Sequence, residues 1–256
     1  MSESATQFPA WPELRRQIVV WEDESAVVVN KPPGLSVMGE RHDTDLITLA
    51  RAAGEQLQWV NRIDKVTSGA VLLARTKTAH AALTRQFAQR TVDKTYLAIC
   101  RPGGLPEAGE IDLPLLTAGS GRIRIAAERG AIRRVGDCWR VDPQDLLPKQ
   151  NYPSQTRFRT LWDSPELSLV RAHPVTGRRH QLRVHLAWIG HAILGDPLFT
   201  HKTDPVRPRT YLHSWRVAFD AVGPAGRVEV VAEPAESFWA PLADRLSPVE
   251  RARLLG

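Results

Sequence analysis

The chain has 256 residues, 43% of them apolar and 24% charged, so it can bury a large core, and this composition excludes a disordered or low-complexity protein. Lysine and arginine exceed aspartate and glutamate by 34 − 28 = 6, with a sequence pI near 9.7, a balance that suits a polyanionic partner. Two cysteines without a CxxC pair, Cys100 and Cys138, exclude a disulfide framework and a cysteine zinc cluster. No apolar run approaches the roughly 20 residues that span a bilayer, so the expectation is a cytoplasmic protein without membrane association.

Residues 1–17 contain two prolines and little apolar periodicity and read as a partly ordered arm. Ile18 to Trp21 and Ala26 to Val29 read as short strands around an acidic turn, and the second runs into Lys31-Pro32-Pro33-Gly34, a tight loop stiffened by proline. Asp45 to Arg51 reads as a short helix stopped near Gly54. The segments Gln58-Trp59-Val60 and Ala70 to Ala74 then bracket a polar loop, Asn61-Arg62-Ile63-Asp64-Lys65-Val66-Thr67-Ser68-Gly69, which places one carboxylate between two cations.

Lys77 to Arg90 carries Ala79, Leu83 and Phe87 four apart, which predicts an amphipathic helix, and Lys94 to Cys100 predicts a strand. From about 109 to 152 the pattern is poor and rich in arginine, which reads as a basic, weakly patterned insert facing phosphates or solvent. Gln155 to Leu161 and Leu167 to Ala172 resemble an antiparallel pair. If residues 178 to 189 are helical, apolar stripes lie on two sides, and Arg179 and Arg183, four apart, share the sector between them; a buried arginine there needs an anion. Strands near 210–219 and 227–231 and a terminal helix from about Ala235 complete an expected α+β fold with a largely antiparallel mixed sheet, flanking helices and a central catalytic cleft, all in one domain from 18 to 256.

Four blocks taken together resemble the RluA family of RNA pseudouridine synthases. Its His-Arg-Leu-Asp-x-x-Thr-Ser-Gly motif is similar to Asn61–Gly69, with Asn61 in place of histidine and Ile63 in place of leucine. Its Asn/Asp-Lys-Pro-x-Gly element resembles Asn30–Gly34, its Lys-x-Tyr strand Lys94-Thr95-Tyr96, and its Thr-Gly-Arg-x-His-Gln-Ile/Leu-Arg-x-His block Thr176–His185, trailed by Leu194-Gly195-Asp196-Pro197. The blocks run in family order over roughly residues 18 to 240.

The resemblance implies isomerisation of uridine in ribosomal or transfer RNA, a reaction that needs no cofactor and no metal and implies no obligatory protein partner. It implies that Asp64 is the catalytic carboxylate. Arg62 would fill the gap left by a flipped base, Tyr96 would stack on the extruded uracil and pass a proton, and Arg183 would be the basic partner of the acid. Asn61 and Arg179 join these as candidate RNA-binding residues. His180 and His185, five apart and without carboxylate or cysteine neighbours, do not make a metal site. A rival reading keeps the fold as an RNA-binding assembly or chaperone protein with secondary or lost catalysis.

Overall fold

Pro12 stands in the first turn of a helix, where its missing N–H costs nothing, and α1 (Trp11–Ile18) follows; the computed structural model describes residues 8–39, 45–119, 121–199 and 207–256. Trp11, Leu14 and Ile18 recur at helical spacing and are buried, so residues 11–18 form a docked helix where the sequence pattern suggests a partly ordered arm. Residues 1–7 of that arm lie outside the described residues. Arg15, Arg16 and Gln17 dilute the stripe, which is why it escapes a simple periodicity search. Glu55 anchors the helix, accepting from the Trp11 indole at 2.6 Å and from Arg15 Nε at 2.9 Å.

Next come β1 (Val19–Glu22) and β2 (Ala26–Lys31), whose turn is closed by Asp23 Oδ1 accepting from the backbone N–H of Ser25 and Ala26. The Asp45 side chain caps α2 (Leu46–Ala52) by accepting from Thr48 N. After β3 (Gln58–Trp59) and β4 (Ser68–Ala74), Thr76 caps α3 (Lys77–Gln89), which buries Ala79 and Leu83 as their spacing predicts.

The chain continues through β5 (Asp93–Arg101), β6 (Ala108–Asp112), β7 (Leu115–Thr117), β8 (Ile123–Ile125), β9 (Arg133–Val135), β10 (Cys138–Arg140), β11 (Gln155–Asp163) and β12 (Ser168–Pro174). Then follow α4 (Gln181–Trp188), β13 (Ala192–Ile193), β14 (Leu212–Asp220), β15 (Arg227–Val231), α5 (Glu236–Trp239) and α6 (Pro248–Leu255). Residues 1–94 and 213–234 make one compact unit, and residues 95–212 and 235–256 a second.

In the first unit the strand order is β1-β2-β4-β14-β15, with β3 added to β4. All these pairs are antiparallel except β4 with β14. Its core gathers Val28, Val60, Leu72, Leu83, Val217 and Phe219, and each fully buried side chain of this kind stabilises by roughly 1.5–3 kcal/mol. In the second unit the order is β5-β12-β11-β6-β10-β9, with β13 on β5 and β7-β8 as a separate pair. Only β6 with β10 is parallel there. The fold is therefore α+β with largely antiparallel sheets, as the sequence predicts.

The described residues of the insert, 109–119 and 121–152, are folded. Ile111, Leu113, Leu115, Ile123, Ile125 and Trp139 enter the second unit's core. Strands of three residues are too short to show a period, so the sequence hides them. Three of its six arginines are matched from within, Arg124 by Glu128, Arg134 by Asp137 and Arg133 by Asp142.

Candidate active site

The loop between β3 and β4 carries Asn61, Arg62 and Asp64 together. On the edge of β4 facing away from β2, β3 pairs with Leu73 and Ala74, while β14 pairs with Ser68 and Gly69. The chain after β3 must therefore leave this edge before it reaches β14. It does so at Asn61, whose Oδ1 accepts from Leu72 N at 2.8 Å, just after Val60 N has donated to Leu72 O at 3.1 Å. Ile63 turns inward and is buried, Arg62 is exposed and Asp64 is half-buried. Among the described residues Arg62 makes no hydrogen bond or ion pair, so its guanidinium is available to a ligand.

A turn then closes on Asp64, with Thr67 N donating to the Asp64 carbonyl at 3.0 Å. Beneath that turn lies Lys31, completely buried. Its ammonium donates to the carbonyls of Leu35 at 2.7 Å, Pro32 at 2.9 Å and Lys65 at 3.3 Å, and Gly34 N also reaches the Lys65 carbonyl at 2.8 Å. The Lys-Pro-Pro-Gly turn thus serves as a floor for the acidic loop. Gly34 supports it with φ +88°, a conformation that side chains rarely adopt.

At the exit, Ser68 Oγ and Nδ1 of the buried His213 share a hydrogen bond of 2.8 Å, and His213 Nε2 donates to the Ala232 carbonyl at 2.7 Å. Gly69 has φ +108°, and a Cβ there would collide with the Ser214 carbonyl, so glycine is required for β14 to approach. Neither Lys31 nor His213 is a candidate from the sequence reading of the site. For Lys31 the signal is the Lys-Pro-Pro-Gly turn; for His213 the sequence carries none beyond a histidine inside an apolar strand.

The remaining candidates belong to the second unit. Tyr96 on β5 is half-buried, paired with Ala172 of β12 and packed on the core. Arg183 is buried on α4 and meets Asp196 in a two-pronged ion pair, Nε to Oδ2 at 2.6 Å and Nη2 to Oδ1 at 2.9 Å. Asp196 Oδ1 also accepts from the N–H groups of Leu198 and Phe199. The Leu-Gly-Asp-Pro segment thus supplies the anion that a buried arginine demands.

Arg179 departs from the expectation. His180 has φ 56°, in the left-handed region, so α4 begins only at Gln181 rather than at 178. Arg179 therefore lies in the preceding turn, exposed, and does not share a helical sector with Arg183. Among the described residues it too makes no hydrogen bond or ion pair.

The rest of the Thr176–His185 block forms a buried polar network. Gln181 Oε1 accepts from Thr176 Oγ1 at 2.6 Å and from Arg178 N at 3.0 Å, while Gln181 Nε2 donates to Gln155 O and Thr156 Oγ1. His185 accepts from Thr156 Oγ1 at Nδ1 and donates from Nε2 to the Leu113 carbonyl, both at 2.9 Å, and burial lowers its pKa from 6.5 to about 4. It is a neutral core histidine.

The fold as a whole is that of pseudouridine synthases. The human RNA pseudouridylate synthase domain containing 4 superposes with a TM-score of 0.73 at 24% identity, over 90% of this chain and 93% of that one. The human domain containing 1 protein gives 0.68 at 24% identity, over 93% and 94%.

Sequence comparison carries the assignment further. Residues 25–188 match the model of the RNA pseudouridylate synthase family. The dual-specificity RNA pseudouridine synthase RluA of Salmonella typhi is 33% identical over 202 residues, 77% of this chain and 84% of that protein. The RluA of Vibrio parahaemolyticus is 35% identical over 212 residues, 78% and 76%. The mitochondrial pseudouridylate synthase RPUSD4 of Xenopus tropicalis is 37% identical over 211 residues, 74% of this chain but only 61% of the frog protein's length. The chain belongs to the RNA pseudouridylate synthase family.

Proposed function

We propose that this protein isomerises one or more uridines of ribosomal or transfer RNA to pseudouridine in the cytoplasm, with Asp64 as the catalytic carboxylate. In the reaction the N1–C1′ bond breaks, the uracil turns, C5 bonds to C1′, and the proton lost from C5 is balanced by one gained at N1. Nothing is oxidised and no group leaves, so neither cofactor nor metal is called for. A carboxylate serves either by attacking the sugar or base or by stabilising the cationic sugar and taking a proton from it.

The observation that supports this reading most directly is the Asp64 loop. It is tied to β4 at its entry, floored by Lys31 and tied to His213 at its exit, while Arg62 projects unpaired from it. Rigid backbone with an available guanidinium suits a nucleotide that must be swung out of its stack, at a cost of a few kcal/mol. In the same reading Tyr96 stacks on the extruded uracil and moves a proton, Arg183 is the basic partner of the acid, and the exposed Arg179 contacts phosphate. RNA is the only partner the reading requires.

The test is to map pseudouridines in RNA from cells with and without the protein, then to repeat the conversion with purified protein and the identified RNA. The reading expects at least one site that disappears with the gene product and is restored in vitro without added metal beyond that needed to fold the RNA. RNA binding with no site changed would leave the assembly or chaperone reading instead.

A further inference from the structure

We infer that Asn61 is a positioning residue for the catalytic loop rather than a contact to RNA; the inference rests on the reading of Asp64 as the catalytic carboxylate. One edge of β4 has to serve two strands, β3 beside Leu73 and Ala74 and β14 beside Ser68 and Gly69. Between them the backbone must leave the ladder. In a continued antiparallel ladder the N–H donated from Val60 to the Leu72 carbonyl would be answered by Leu72 N–H donating to the carbonyl of Val60. Here Leu72 N–H goes to Asn61 Oδ1 at 2.8 Å. The side-chain oxygen takes the place of a backbone acceptor.

The replacement has two consequences. Leu72 is completely buried, so its N–H has no recourse to water, and Asn61 supplies the partner it needs where the strands part. The backbone, released from the ladder, bends outward at residues 60–61, and Arg62 and Asp64 start from a point fixed to the central strand. A short side chain with two torsions holds that point firmly. The family motif carries histidine at this position, and an imidazole nitrogen can present an acceptor at similar reach, so the change to asparagine keeps the one property that the geometry uses.

Three variants, Asn61→Ala, Asn61→Asp and Asn61→His, test the inference by Leu72 amide hydrogen exchange, RNA affinity and single-turnover rate, all measured well below the melting temperature. Alanine should speed Leu72 exchange and slow turnover roughly tenfold to a hundredfold, the scale of a misplaced reacting group, with RNA affinity unchanged. Aspartate and histidine, which keep an acceptor, should recover most of the rate. Alanine with wild-type turnover would make the bond merely structural, and alanine with weakened RNA binding but normal turnover would make Asn61 an RNA contact; either overturns the inference, as does unchanged Leu72 exchange. A wild-type protein that converts no uridine would instead overturn the functional reading, and the exchange measurement would still decide whether Asn61 anchors the loop.

Discussion

The Lys31 ammonium donates to the carbonyls of Pro32, Leu35 and Lys65, with no part of the side chain exposed. The Lys65 carbonyl belongs to the residue after Asp64, so the ammonium group sets the height of the acidic turn as well as stabilising its own loop. Lys31→Met keeps most of the volume but removes the donor to the Pro32 and Leu35 carbonyls and leaves the Lys65 carbonyl only Gly34 N–H, and should cost roughly 3 kcal/mol, since hydrogen bonds to charged groups contribute about 1.5–3 kcal/mol each and the loop can relax in part. Urea denaturation should show that loss, and turnover should fall at temperatures where the variant is still folded. Wild-type stability would mean that the floor does not depend on the ammonium. The sequence makes the turn itself legible, through Pro32, Pro33 and Gly34, but not where the lysine points; a lysine followed by prolines is usually a solvated one. Asn61 was likewise visible only as a departure from a motif, because its partner Leu72 lies across a strand pair.

Helix α4 shows how one element can carry both chemistry and its own support. Every side chain from Gln181 to Ala187 is buried, so the helix packs on all sides, and its polar members pair with one another's neighbours. His185 is the titrating member. Its folded pKa of about 4 lies below its ordinary 6.5, so the unfolded chain takes up a proton first as pH falls. Its contribution is therefore intact above about pH 6.5 and declines progressively to about pH 4, by roughly 3 kcal/mol in all. Denaturation at pH 7.5 and pH 4.5 should show His185→Gln losing less stability between the two than wild type, whatever its stability at pH 7.5. Equal losses would contradict a buried neutral histidine. The elements with clear periods were legible: α3 from Ala79, Leu83 and Phe87, and β15 at Arg227–Val231 as predicted. The start of α4 was not, because the left-handed backbone of His180 ends the pattern without a glycine or proline to announce it. Nor was α1, whose stripe of Trp11, Leu14 and Ile18 is interrupted by Arg15 and Arg16.

At the scale of the molecule, the two compact units were hidden from the sequence by where the chain passes between them. The divisions fall at Lys94/Thr95, inside β5, at Leu212/His213, at the start of β14, and at Pro234/Ala235, just before α5; the first two lie within strands and carry no linker composition. The excess of six cations fits an RNA substrate, and Arg62 and Arg179 stand among the exposed guanidinium groups that make no hydrogen bond or ion pair with the described residues. Motif order carried the functional expectation, and family membership supports it; what neither supplies is the act of the carboxylate itself. The decisive measurement is pseudouridine formation by purified Asp64→Asn on the mapped RNA, beside its melting temperature and RNA affinity. The substitution conserves volume on a half-buried loop residue, so folding and binding should match wild type while product is undetectable. Turnover near the wild-type rate would contradict Asp64 as the catalytic carboxylate.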